Sequence, residues 1–535
     1  MNNGKLSVMF MQNIAIKNGG LTQAIFTRAN ILSKKQKKVY ILTYAFQHDF
    51  KRLVDFHRKN GNISENVIVR NLYEDLDPFK GLPLFSGENI IYSDVLNSKE
   101  EILYRDEKNK SCEGYRAFNN GIYCKYYRFD DKKITSIDNF EPEWVRASQC
   151  LYDDFGNKVK ERHMDKLKNK PRLDRVFSRN GKSYMTINLD VDTSKIKDIY
   201  LHYPKPEYFS AEDDMIVFWL NAVLSELISE SSGLPIFLFC DKREHVNLFK
   251  KISNKNVEMG YTFHSTHLGK PHTSESATDP TALPVFDNLS MFKKVIFLTD
   301  LQREDAVNRY GNEKKFISIF NVPSEKYKID KSIERNRFLV VSMARYHPVK
   351  ALHEAIHAFL HVVKKIPKAK YEIYGYGDQK SELQKLVDDL GLKDNIFLND
   401  FNENPLKKYQ EARCSLMTSV YEGYGLSIVE SMSAGCPVLS YNANYGPNSI
   451  IRNGIDGFLI SWGDREKLAK LIIEVMEDDE LFSKLSENAA EVNVGSRTIG
   501  CLKTSVRCCM AERYCKQFWQ HGNPVPRSCH ADQPS

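Results

Sequence analysis

The chain has 535 residues, 42% hydrophobic and 27% charged, with 76 Lys and Arg against 69 Asp and Glu for a formal charge of +7. That length exceeds one hydrophobic core and fits about three to four units. The composition excludes a chain disordered throughout, and the basic excess is too small to argue for nucleic acid. Eleven Cys invite a disulfide or metal framework, but Cys112, Cys124, Cys150, Cys240, Cys414 and Cys436 are scattered without C-x-x-C spacing. The other five, Cys501, Cys508, Cys509, Cys515 and Cys529, crowd the carboxyl end. No run approaches the ~20 apolar residues of a membrane span, and the first residues lack a signal stretch. A soluble protein of a reducing compartment is the expectation.

In chain order, residues 6–12 predict a strand, Gly19-Gly20 a loop, 21–33 a helix, and 38–45 and 67–72 two more strands. That is the start of a doubly wound unit. From about 80 to 200 the helical period fades. Tyr- and Phe-rich runs alternate with Asn119-Asn120-Gly121, Asp130-Asp131, Asp153-Asp154-Phe155-Gly156-Asn157 and Arg179-Asn180-Gly181. Asn-Gly between β-formers signals a hairpin, so this stretch predicts an antiparallel β meander, not a long irregular loop. Helix 213–231 and strands at 234–240, 257–264 and 295–299 resume the first α/β unit, and 316–322 leads into a connection. Strands at 338–343, 371–374, 396–398, 415–418 and 437–440, with helices at 350–365, 378–391 and 426–434, make a second. The expected domains are 1–80 with 198–325, the insertion 81–197, 326–492, and an atypical tail 493–535.

Chemistry gathers where the second α/β unit turns from strand to helix. Tyr421-Glu422-Gly423-Tyr424-Gly425-Leu426-Ser427-Ile428-Val429-Glu430 follows a strand and opens a helix. Its glycines let backbone approach a ligand, and free N–H groups around 426–428 suit a diphosphate. Glu422 can accept from sugar hydroxyls, and Glu430, about one turn into the helix, from a ribose diol. A capped structural helix with solvent-facing carboxylates is the alternative. In Ala344-Arg345-Tyr346-His347-Pro348-Val349-Lys350, the two cations supply what a departing diphosphate needs; a solvated Arg and Lys are the plainer reading. Gly375 (in Tyr374-Gly375-Tyr376-Gly377-Asp378), Asn402 and Tyr445-Gly446-Pro447 mark further loops at the same edge. His264 and His267 follow a strand in the first half, where a histidine either faces a cleft or packs structurally.

Together these residues resemble the retaining glycosyltransferases of family 4. The carrying features are Glu422 and Glu430 in a Glu-x7-Glu arrangement, Arg345 with Lys350, Gly19-Gly20 and Phe263-His264. More narrowly, His264-Ser265-Thr266-His267, the Tyr-Glu-Gly-Tyr-Gly-Leu stretch and Asn444-Tyr445-Gly446-Pro447 look like the poly(glycerol-phosphate) α-glucosyltransferases of Gram-positive bacteria. The resemblance covers roughly residues 5–490. It implies the GT-B fold, two facing Rossmann-like domains with the meander inserted in the first. It also implies transfer of glucose from UDP-glucose to hydroxyls of wall teichoic acid with the anomeric configuration retained. Arg345 and Lys350 would neutralise the diphosphate, Glu422 would hold the donor sugar and Glu430 the ribose. The amides of Gly425, Leu426 and Ser427 would bind phosphate or sugar. Gly19 and Gly20 would admit the amino-terminal loop, and His264, with His267 as second choice, would contact the sugar. No cofactor and no metal are expected.

The implied partners are UDP-glucose and an anionic glycerol-phosphate polymer, with no nucleic acid. The implied place is the cytoplasm; association with the inner face of the plasma membrane, and an oligomer built through the insertion, stay open. Lys34-Lys35-Gln36-Lys37-Lys38 and residues 166–175 are candidate basic patches. A transferase of N-acetylglucosamine to poly(ribitol-phosphate), or to Ser/Thr of an adhesin, is the enzymatic rival. A non-catalytic scaffold subunit is the rival of another class. Two departures stand out. Ala344-Arg345-Tyr346 replaces the usual Gly-Arg-Leu, and the tail lacks the usual helix that crosses back. The tail's six basic and two acidic residues carry +4 of the +7.

Overall fold

In this computed structural model, which describes residues 6–16, 19–36, 38–82, 90–109, 112–321, 330 and 332–494, the apolar runs become buried strands. The tail from 495 on, with its five cysteines, lies outside the described residues, as do Lys37 and the connection 322–329. The chain divides into two compact units. One holds Met1–Asn18, Gln36–Leu238 and Glu244–Val257; the other holds Gly19–Lys35, Phe239–Arg243 and Glu258–Ser535.

In the first unit, strands Leu6–Met11, Val39–Thr43 and Val67–Asn71 run parallel, Ser7 opposite Val39 and Val39 opposite Val67. Strand Ile236–Cys240 is the next neighbour of Leu6–Met11. Leu6–Met11 and Val39–Thr43 are buried at every position, as parallel strands covered on both faces must be. Ten antiparallel strands, from Ile102–Arg105 to Glu207–Phe209, form a second sheet whose spatial order is the sequence order. That is the meander. Its turns use the left-handed backbone that Asn and Gly tolerate, at Asn120 (φ 49°) and Gly121 (φ 78°) among others. One face packs Phe129, Ile134, Ile137, Cys150 and Tyr152 into a core of its own.

In the second unit, strands Val257–Thr262, Phe292–Phe297 and Phe316–Ser318 run parallel beside the carboxyl end of Ile236–Cys240. A further six-stranded parallel sheet has the order Ile396–Asn399, Lys370–Tyr374, Asn336–Met343, Ala412–Met417, Val438–Tyr441, Gly457–Ile460. Numbered along the chain that order is 3-2-1-4-5-6, the doubly wound arrangement. Its core joins Val340, Tyr371 and Ile373 to Ile356, Phe359 and Val362 of helix Leu352–Lys365 and to Leu468 and Ile472 of helix Arg465–Glu477. The order reverses between Asn336–Met343 and Ala412–Met417. A ligand crevice opens at such a switch point, beyond the carboxyl ends of the two strands.

Candidate functional site

Both sequence motifs of the second half lie at that switch point. Arg345 and Lys350 follow Asn336–Met343, and Glu422 follows Ala412–Met417. The Arg345 loop is fixed from below by Tyr346. Its ring is fully buried, and its hydroxyl reaches the carbonyls of Ile373 (2.9 Å) and Asn399 (2.5 Å) at the ends of two neighbouring strands. Tyr346, standing where the resemblance expects Leu, therefore adds a polar anchor. Arg345 itself is exposed and has no ion pair among the described residues. Lys350 ends a single helical turn, and Ala351 after it takes a left-handed conformation (φ 42°) that starts helix Leu352–Lys365. The Lys350 ammonium donates to Glu422 Oε1 at 2.5 Å, and Ser419 Oγ donates to the same oxygen at 2.6 Å. The Lys350 and Glu422 side chains are 19% and 11% exposed, so the pair is mostly buried with a small part in reach of solvent.

Backbone holds Glu422 in place. Its N–H donates to the Asn444 carbonyl (2.8 Å), and its own carbonyl accepts from Tyr445 N–H (2.6 Å). Gly425 (φ 89°) caps helix Leu426–Ser433; the Ile428 N–H donates back to the Gly425 carbonyl at 2.9 Å, while the amides of Leu426 and Ser427 fall among the first-turn groups that have no intrahelical acceptor. Glu430 lies on that helix, partly buried and with protein partners. Gly423 has a different reason to be glycine. A Cβ there would lie 2.2 Å from the carbonyl oxygen of His264. The loop and the strand-end histidine are thus in backbone contact. Gly20 faces the Leu426 side chain, and Gly19 the Tyr376 hydroxyl, with added Cβ atoms at 3.5 and 3.8 Å. Gly375 is pressed against the Ala344 carbonyl, where a Cβ would sit at 1.9 Å. Asn402 lies in the loop after Ile396–Asn399, its side-chain oxygen accepting from Asn404 N–H.

The two strand-end histidines differ. His264 is 15% exposed, and its Nε2 is 2.7 Å from Asp241 Oδ1. His267 is fully buried and its ring nitrogens have no hydrogen-bond partner. It packs on Phe263, Phe286, Phe297 and, in parallel stacking, Tyr445. Burial, with Arg309 and Arg243 adding repulsion, pushes its pKa down to about 3. Gly19, Gly20, His264, Arg345, Lys350, Glu422, Gly425, Leu426, Ser427 and Glu430 all fall in the second unit.

Exposed guanidinium, ammonium–carboxylate pair and open helix N-terminus at one switch point form a place for a diphosphate and a polyhydroxyl group. Residues 323–492 match the family model described as "Glycosyl transferases group 1". Over that segment the chain is similar to the group 1 glycosyltransferases. Among curated proteins it is 27% identical to the poly(glycerol-phosphate) alpha-glucosyltransferase of Bacillus subtilis, over 88% of this chain and 70% of that one. It is 23% identical to the poly(ribitol-phosphate) alpha-N-acetylglucosaminyltransferase of Staphylococcus aureus, over 90% and 95%. A crystal structure of the S. aureus protein TarM, with fondaparinux, alpha-GlcNAc-glycerol and UDP, superposes with a TM-score of 0.80 at 21% identity, over 96% of this chain and all of that one. The chain has the GT-B fold with an antiparallel sheet inserted, as the resemblance implied.

Sequence reasoning did not find Asp241, Arg28, Ser419 or Tyr346 as parts of this place. Asp241 and Arg28 are 213 residues apart, and no local pattern joins them. Among the described residues no group of three or more His, Cys, Asp or Glu is placed to hold a metal ion. No helix among them is long and apolar enough to cross a membrane.

Proposed function

We propose that this glycosyltransferase moves glucose from UDP-glucose to hydroxyls of poly(glycerol-phosphate) wall teichoic acid with retention of configuration. The observation that carries the reading is the grouping of Arg345, Lys350, Glu422 and the Leu426–Ser433 helix N-terminus at one switch point. Arg345 and Lys350 neutralise the diphosphate as it departs. Lys350 is already held by Glu422, so the carboxylate can pass from the ammonium to the donor sugar's hydroxyls. Glu430 takes the ribose, the amides of Gly425, Leu426 and Ser427 take phosphate or sugar, and Gly19 and Gly20 admit the acceptor beside the diphosphate. The acceptor attacks from the face that UDP leaves, so no nucleophilic side chain is needed, unlike a two-carboxylate retaining hydrolase.

The choice of donor and polymer rests on the B. subtilis relative. The S. aureus relatives favour a second reading, transfer of N-acetylglucosamine to a ribitol-phosphate polymer. UDP release with each donor on each polymer, with products read by mass spectrometry and anomeric NMR couplings, separates them. Glucose on glycerol phosphate, α-linked and undiminished by EDTA, is the expected product. A product carrying only N-acetylglucosamine overturns the donor assignment. UDP binding without turnover on any polymer favours a scaffold subunit.

A further inference from the structure

Asp241 has no part in the reading above, yet it is the most enclosed charge beside the crevice-side histidine. It directly follows strand Ile236–Cys240, while Arg28 comes from helix Gly20–Ser33 and His264 lies just past strand Val257–Thr262. The side chains of Arg28 and Asp241 are 5% and 1% exposed. The two carboxylate oxygens are divided. Oδ2 accepts from the Arg28 guanidinium, and Oδ1 faces His264 Nε2 at 2.7 Å. Arg28 is itself steered, with Nη1 donating to Thr262 Oγ1 at 3.1 Å and its Cζ 4.3 Å above the Phe239 ring. Burial opposes the Asp241 charge, but Arg28 and His264 outweigh it and hold the carboxyl below its usual range.

An ionised carboxylate only accepts, so the proton between the two groups belongs to His264 Nε2. In the neutral ring Nδ1 then carries the lone pair. Nδ1 has no hydrogen-bond partner among the described residues, and the histidine's backbone abuts Gly423, one residue from Glu422. We propose that Asp241, anchored by Arg28, is a positioning residue that fixes His264 as the Nε2–H tautomer and presents Nδ1 as an acceptor to a hydroxyl of the donor sugar. The sugar contact rests on the glycosyl transfer proposed above.

The test uses the full chain labelled with ¹⁵N-histidine, His264→Gln serving to assign the ring signals. At pH 8 His264 should show a protonated Nε2 and an unprotonated Nδ1, and Asp241→Asn should raise the share of the other tautomer. Asp241→Asn should lower kcat about 10- to 100-fold, as loss of an orienting partner does, with a smaller change in KM for the UDP-sugar. In a His264→Ala background the same change should cost nothing further, because the two act as one. A protonated Nδ1 in the unaltered chain overturns the proposal. So does an equal loss of kcat from Asp241→Asn with and without His264. The ring signals need no substrate and no variant at Asp241. A chain that transfers no hexose therefore sinks the functional reading and the sugar contact, while the tautomer result stands or falls alone.

Discussion

Lys350 gives its charge to Glu422 at 2.5 Å, with both side chains mostly buried. Removing the ammonium leaves the Glu422 carboxylate without its partner, and it also takes away the charge that would meet a departing diphosphate. Lys350→Ala should lower kcat/KM about 10²–10³-fold, measured at a temperature where the variant is folded by circular dichroism; rates like the parent's would remove Lys350 from the site. His267 is the opposite case. With its pKa held near about 3 against an ordinary 6.5, the unfolded chain takes the proton first as pH falls. Stability is therefore intact above pH 6.5 and is lost progressively below it. His267→Phe fits the ring stack and removes that loss. Between pH 7 and pH 5 it should lose about 2 kcal/mol less than the parent in urea titrations. Equal losses would mean that the ring charges in the folded state. Arg345 with Lys350, and Glu422 with Glu430, were legible because each pair sits at a strand-to-helix turn in fixed spacing along the chain. The Arg28–Asp241–His264 chain was not, since a helix and two strand ends far apart in sequence bring its members together only in the fold.

At the scale of elements, the glycines around Glu422 serve two separate ends. Gly425 supplies a left-handed cap, whereas Gly423 makes room for backbone. The strand end it meets cannot easily yield, because Gln302 Nε2 donates to the Ser265 carbonyl at 2.9 Å and the loop is bonded on its other side to Asn444 and Tyr445. Gly423→Ala should therefore push the Glu422 loop outward and weaken UDP binding, with Lys350 and Glu422 displaced together. Gly454→Ala is the comparison. It has φ 77° and open space around it, so it should cost about 1 kcal/mol of stability and leave UDP affinity alone. Calorimetric titration of the two variants reads the difference; equal affinities would mean the loop yields freely. The meander's hairpins were legible at Asn120-Gly121, Gly156 and Gly181, where positive φ demands such residues. Strands Lys133–Glu141 and Lys158–Asp165 were not. The second carries Lys158, Lys160, Glu161, Arg162 and His163, and its charges are matched across strands, as Arg162 and Lys160 are with Asp174 at 2.7 and 2.9 Å. Cross-strand pairing, and no apolar alternation, is what makes it a strand.

For the whole molecule, the charge count and the two units lead to one experiment. Without residues 493–535 the chain has 70 basic and 67 acidic residues, so attraction to an anionic polymer has to come from local patches. One candidate is partly neutralised already, since Lys166 pairs with Glu141 and Lys168 with Asp192. The meander that carries those lysines belongs to the first unit, and every residue proposed to touch the nucleotide sugar belongs to the second. Its core is its own, centred on Phe129, which is fully buried against Tyr92 and Tyr115 in edge-on contact. Phe129→Ala should remove about 3–5 kcal/mol from that core. If the sheet is stabilised independently, the loss appears as an earlier transition on heating, and UDP still raises the midpoint of a later one. Acceptor-dependent turnover should fall before UDP affinity does. A Phe129→Ala chain that stays folded at low temperature but no longer binds UDP would show that the nucleotide site depends on the inserted sheet, and the division of labour between the two units would have to be abandoned.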